Sequence, residues 1–390
     1  MLLNKKLRIE KIYIQLFVAF MFFSAIFCNI SKINLLFHSA LIIFIGTILF
    51  FTESRHALLK DRAFFIGLIL SFVFLLYYSA SNLWSQNPSN ITSSLKQSFY
   101  LLSFILLYRQ TEKLGCKKYV IGAVYFGMIL LSILTFMNID SNHLLTGRLK
   151  NGFPWAPDNV IDLGGYMAIG ILCGLVFIRD TGKKWLYLFI PLLFASLLLT
   201  QSRGPLIALI LSLTVFFLVK PNFSKKHILS TIIIFVIVIS AIYLTKFSDV
   251  FVNRLESSYQ QSFIRFGIWQ HTLELVKEKW IFGWGYDKDL AYKLSASKII
   301  STTHTIYLAS ILKGGIFGFG LLIIMLGYGL LQIPKHLQKN HKAEVSIFIF
   351  SIFYYMTQGM FIIGNPQEFW LLFWFPLAII LSAPIKQTGE

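Results

Sequence analysis

Apolar runs of roughly 20 residues recur from one end of this chain to the other, and they limit what it can become. The hydrocarbon core of a bilayer is about 30 Å thick, so a helix rising 1.5 Å per residue needs about 20 apolar residues to cross it. Inside lipid every backbone polar group must be satisfied by the chain itself, which leaves helices and closed barrels. Runs this long, without strict alternation, read as helices. Twelve spans follow, at roughly 12–30, 33–52, 63–80, 93–109, 118–138, 159–179, 185–201, 204–220, 227–247, 304–331, 343–364 and 367–385. The expectation is an all-α polytopic membrane protein with about 12 transmembrane helices. It forms a single integral domain over 1–390, with one long loop, 248–303, between the ninth and tenth spans.

Charge tests that plan. The chain has 390 residues, 13% of them charged, with a net charge of +18. In a soluble protein such an excess would suggest nucleic acid. Here most Lys and Arg lie in short loops, as membrane orientation requires, so no nucleic-acid partner is expected. With the N-terminus inside, the inner loops hold Arg55, Lys60, Arg62, Arg109, Lys113, Lys117, Lys118, Arg179, Lys183, Lys184, Lys220, Lys225, Lys226, Lys335, Lys339 and Lys342. The short outer loops hold Lys32, Arg148, Lys150 and Arg203. This asymmetry supports splitting 185–220 at Arg203, where Gly204-Pro205 also interrupts the run, rather than reading one kinked helix. Both termini are then cytoplasmic and the long loop faces outward. Lys5, Lys6, Arg8 and Lys11 precede a first run that lacks a small-residue cleavage site, so it reads as a retained span. Cys28, Cys116 and Cys173 have no spacing that suggests a disulfide framework or a metal site. No internal repeat is visible, which weakens transporter folds built from duplicated halves.

In the long loop, Phe266, Trp269, Leu273, Val276 and Trp280 recur at helical spacing. They predict an amphipathic helix of four to five turns on the outer membrane surface or over the bundle, with Arg265 in its first turn, ended by Phe282-Gly283-Trp284-Gly285. Ser301-Thr302-Thr303 offers an N-cap that would place His304 in the first turn of the tenth span.

Three residues carry the candidate chemistry. Arg203 lies at the outer end of a span, beside Gly204. It is either an interfacial arginine or a phosphate ligand, since guanidinium is a permanent cation whose fork matches phosphate oxygens. Arg265 is a second such candidate. His304 is a candidate general base, because imidazole titrates near neutrality. The remaining histidines, at 38, 56, 143, 227, 271, 336 and 341, have no motif around them. Asp287-Lys288-Asp289 has a spacing that can hold a divalent metal but reads as solvated surface, so no metal and no cofactor are expected.

Together these stretches resemble a known family. Thr200-Gln201-Ser202-Arg203-Gly204 is similar to the T-x-[ST]-R-[GA] signature of the bacterial O-antigen ligase and O-antigen polymerase family. Arg265 to Trp269 resembles its R-x-x-x-W, Phe282 to Gly285 its F-G-x-G, and His304-Thr305-Ile306-Tyr307-Leu308 with Gly314-Gly315 its H-N-x-Y-L and following glycine. Thr305 departs from the family's Asn. Asn365 and Glu368 both lie near a carboxylate that some ligases carry in the last outer loop.

The resemblance implies a GT-C-like, metal-independent glycosyltransferase of the bacterial inner membrane, acting at the periplasmic face amid membrane lipids. The donor would be a glycan on undecaprenyl diphosphate. The acceptor would be a sugar hydroxyl of lipid A-core for a ligase, or a second lipid-linked repeat for a polymerase. Protein O-oligosaccharyltransferases share the chemistry. Arg203 and Arg265 match the family's phosphate-binding arginines and His304 its essential histidine, with Trp269 and Tyr307 beside them as substrate-binding candidates. A transporter of polysaccharide or lipid-linked glycan is the rival of another class, and the scarcity of ionisable residues deep in the spans counts against it.

Overall fold

The computed structural model describes residues 2–28, 30–52, 61–139, 148–150, 153–218, 247–295 and 298–382. Helices stand at every expected span that falls on these residues. They are α1 (Leu2–Ser24), α2 (Asn34–Phe50), α3 (Arg62–Ala80), α4 (Ile91–Lys113), α5 (Lys117–Asn138), α6 (Val160–Thr181), α7 (Ile190–Leu199), α8 (Arg203–Leu218), α9 (Phe247–Glu278), α10 (Ile306–Gln338), α11 (Lys342–Tyr354) and α12 (Phe375–Leu381). The ninth expected span, 227–247, lies almost wholly outside the described residues. Five helical stretches are long and apolar enough to cross a membrane: Ser31–Phe50, Arg62–Trp84, Lys117–Asn138, Val160–Thr181 and Ile306–Gln338. The chain is a helical membrane protein.

Helix ends follow local chemistry. Asp61 caps α3 by accepting from the Ala63 and Phe64 amides, and Asn159 caps α6 through the Ile161 amide. Gly182, with φ of 68°, ends α6 in the left-handed conformation that costs glycine least. The most enclosed elements are α6, α11 and the last segment. Trp370, in a π-helical turn before α12, is packed by Phe20, Phe37 and Phe104 at ring distances of 5.1–6.0 Å. By contrast α2 exposes Ile42, Leu49 and Phe50, as a lipid-facing helix does.

Four expectations need correction. The helix in the long loop begins at Phe247, so Arg265 stands in mid-helix and not in a first turn. The chain is not purely α-helical, because Tyr292–Ser295 (β1) and Lys298–Ile300 (β2) pair as an antiparallel ribbon. His304 precedes α10, whose N-cap is Thr305. The eleventh span stops at Tyr354, well short of 364, and an irregular stretch leads from there to the last helix.

α10 is broken at Gly315, where φ is 61° and ψ is −163°. The Phe282–Gly285 loop fills the break. Trp284 N donates to Leu312 O (3.0 Å), Gly285 N to Lys313 O (2.8 Å), Ile316 N to Trp280 O (2.8 Å) and Phe317 N to Ile281 O (3.4 Å). Tyr77 donates from α3 to Gly314 O at 2.6 Å. These bonds give partners to the carbonyls of 312–314 and the amides of 316 and 317 around the kink, as a lipid-surrounded helix requires. A methyl group on Gly283 or on Gly315 would collide with the other strand's backbone, and both have positive φ, so only glycine fits either place.

Candidate functional site

The break between α7 and α8 is a built turn. Gln201 takes a positive φ of 50°. Arg148 Nε donates to Thr200 O (2.9 Å) and its Nη2 to Ser202 Oγ (2.8 Å), while Ser202 Oγ donates to Val160 O (2.9 Å). The turn is therefore pinned to the start of α6. Arg203 opens α8 with an exposed side chain. A first-turn arginine lies beside the N–H groups that no intrahelical carbonyl claims, and both favour an anion.

His304 sits at the mouth of α10 with φ of 55°, a left-handed conformation unusual for a residue with a side chain. Such strain costs roughly 1–3 kcal/mol and persists only where neighbours hold it. The neighbours here are the irregular stretch after α11. Ile306 N donates to Tyr355 O (3.1 Å) and Thr305 Oγ1 to the same oxygen (3.3 Å). A methyl on Gly359 would lie 2.8 Å from the His304 Cα and 3.0 Å from the Thr305 nitrogen. Two residues earlier, Thr357 leaves no room for a methyl on Gly204. Two residues of extended chain span at most ~7 Å, so the backbones at Gly204 and His304 are brought to one place by a single short strand.

Arg265 reaches the same place from α9. Trp269 Nε1 donates to Thr303 O at 3.2 Å, which ties α9 to the residue before His304. Arg265 is four residues away on that face, about 6 Å along the axis. Burial holds the His304 imidazole below its ordinary pKa, and the Arg265 charge lowers it further. Burial also lowers the Arg265 guanidinium. Among the described residues no carboxylate pairs with Arg265. The arrangement is an imidazole of lowered basicity beside one guanidinium, with Arg203 opening a neighbouring helix.

Other singled-out residues lie elsewhere or do other work. Tyr307 donates its hydroxyl to Ile352 O (2.9 Å), bracing α10 on α11. Asp287 accepts from Asn90 Nδ2 (2.9 Å) and Ser85 Oγ (3.1 Å), whereas Asp289 pairs with Lys313 Nζ (3.4 Å). The two carboxylates are thus committed to different neighbours. Glu368 is buried and accepts from Cys28 Sγ (3.3 Å), while Asn365 is exposed. Thr305, where the resembled family has Asn, uses its hydroxyl on the Tyr355 carbonyl.

Sequence reasoning missed Asp162, Gln358 and Gly359. Asp162 is buried at the start of α6 and accepts from the Tyr354 hydroxyl and from Gln358 Nε2 (2.6 Å). Gln358 Oε1 in turn accepts from Gly359 N at 2.9 Å. A buried Asp in the first turn of an apolar span was the available signal.

Arg203, Arg265 and His304 all fall inside residues 188–323, which match the family described as O-antigen ligase. An O-antigen ligase of Pseudomonas aeruginosa is 28% identical over 127 residues, covering 31% of this chain and 30% of that protein. An uncharacterized protein of Haemophilus influenzae is 28% identical over 221 residues, covering 48% of this chain and 55% of that protein. The matches thus span between about a third and about half of these curated relatives.

Proposed function

We propose that this chain is an O-antigen ligase, a glycosyltransferase that moves a glycan from undecaprenyl diphosphate to a sugar hydroxyl of lipid A-core. The observation that supports the reading is the Arg265 charge felt by a His304 whose pKa is lowered at the mouth of α10, with the backbone next to Arg203 brought near by the stretch 357–359. A sugar on a diphosphate already has its leaving group. What the reaction needs is cations where diphosphate charge develops and a base for the acceptor's proton. His304 takes that proton as the acceptor oxygen attacks the anomeric carbon. The bond to the diphosphate oxygen breaks, and the arginines hold the departing diphosphate. Attack opposite the leaving group inverts the anomeric centre. The carboxylates at 287 and 289 point to separate structural partners, which supports a mechanism run by cations alone.

The orientation belongs to the same reading: twelve spans in the bacterial inner membrane, both termini cytoplasmic, the site periplasmic. Phe263, Phe266 and Leu273 expose an apolar flank of α9 away from its buried residues Ile268, Thr272 and Val276. A helix with two such faces suits the membrane surface. Single cysteines at Asn87 and Asn340 test the topology. An impermeant maleimide should label the first from outside and not the second, and the reverse pattern would overturn the site's orientation. The activity test is the lipopolysaccharide of a deletion strain. Loss of all O-chains, with full-length polymer retained on the carrier lipid, identifies a ligase. Core bearing a single repeat would identify a polymerase instead.

A further inference from the structure

We infer that Asp162 and Gln358 are positioning residues that set the place of His304 through Gly359. The inference rests on the reading of His304 as the base. Asp162 is 2% exposed, and its Oδ2 has no hydrogen-bond partner. Its Oδ1 receives both the Tyr354 hydroxyl and the Gln358 amide nitrogen. A carboxylate oxygen accepts and does not donate, so Gln358 must present its NH2 group to Asp162. That fixes the other end of the amide: Oε1 faces outward and takes the Gly359 N–H. The strand at Gly359 is thereby held against the backbone of His304 and Thr305, where no side chain could be accommodated. His304 has a left-handed φ, a conformation that its own local preferences do not select. The chain from the Asp162 carboxylate to the Gly359 amide supplies the restraint from outside.

A polar pair buried at a helix start could serve stability alone. The polarity of this chain argues for more. A scaffold role would be met by any satisfied pair, whereas here the direction of one amide decides whether Gly359 finds an acceptor or a second donor. The consequence is a swap that keeps composition and charge. In Gln358→Glu two carboxylates face each other and the link fails. Adding Asp162→Asn restores a donor, now on residue 162, and the new carboxylate at position 358 still accepts from Gly359.

The experiment uses the full chain in nanodiscs, with lipid-linked donor and core acceptor. It records kcat, donor KM and the ring signals of His304, assigned by their loss in His304→Gln. Q358E should lower kcat by about 10²-fold, the usual scale for a misplacement near 1 Å, with donor KM little changed. The His304 ring signals should shift. The D162N/Q358E double variant should recover most of both. G359A, which pushes on His304 directly, should reproduce Q358E and serves if that variant does not accumulate. Near-wild-type kcat in Q358E or G359A, a double variant no better than Q358E, or unmoved ring signals would each overturn the assignment. If the wild-type chain transfers no glycan, the functional reading has failed. The ring signals then decide the positioning separately: displaced in Q358E and restored in the double variant supports it, and unchanged refutes it.

Discussion

Two clusters of charge lie at opposite ends of the bundle, and they are built in opposite ways. At one end Glu344 is buried to 1% exposure and takes Lys117 at 2.8 Å and Arg179 at 2.6 Å. Arg179 is further paired with Asp180 at 2.6 Å, and the knot ties α5, α6 and α11 together. At the other end Arg265 has no carboxylate partner among the described residues, and the imidazole near it is held below its ordinary pKa. A charge that serves as scaffold is neutralised by the protein. A charge kept for an anionic ligand leaves that task to the ligand, at the cost of leaving a half-buried guanidinium uncompensated.

The comparison can be broken by four measurements, in order of expected effect. His304→Ala should lower transfer by about 10²–10⁴-fold while donor binding persists, because a positioned base has that worth. His271→Ala, on α9 against Tyr292 and Glu274, is the matched control and should be mild. Equal rates in the two would remove His304 from the mechanism.

Glu344→Gln removes the buried carboxylate that Lys117 and Arg179 share, leaving them Glu112 and Asp180, and should cost about 1–3 kcal/mol. Thermal unfolding in detergent reads this, while turnover per folded molecule should stay near wild type. Lost turnover at unchanged stability would show that the Glu344 knot is not merely scaffold.

Arg203→Lys keeps the charge and loses the planar fork. A drop of about 10²-fold in transfer is expected, comparable to removing one donor from an oxyanion site. Activity close to wild type would reduce Arg203 to an interfacial anchor.

The smallest effect concerns pH. Burial, and then Arg265, hold the His304 pKa below the ordinary imidazole value, so its neutral form survives to lower pH. Activity should therefore fall on the acid side only below the usual histidine range. Arg265→Gln removes one lowering influence, and the acid limb of the residual rate should move to higher pH. A limb that moves the other way would separate the two residues.

Much of this was readable from residue types. Arg203, Arg265 and His304 stood out only through the short motifs around them taken in order, since arginines at span ends are common in this chain, while the spans follow from length and hydropathy. What holds them was not readable. Asp162 and Gln358 are 196 residues apart, and Gln358 falls in a stretch whose apolar neighbours read as a continuous span. The helical start of α9 was missed because residues 254–262 are too polar for an apolar stripe. The β-ribbon strands have four and three residues, too short for alternation to register.

The break at Gly315 bears on the order in which the molecule is made. A helix entering lipid alone has every reason to stay straight, since its own carbonyls are then satisfied. The bent form exists only once Trp280–Gly285 has docked and exchanged partners with residues 312–317. That segment precedes α10 in the chain, so it is made before the helix it docks against. The mouth of α10, with His304, should therefore take its working shape after insertion. A chain with its loop undocked would be fully membrane-embedded and still inactive, so the catalytic surface is a product of maturation and not of insertion.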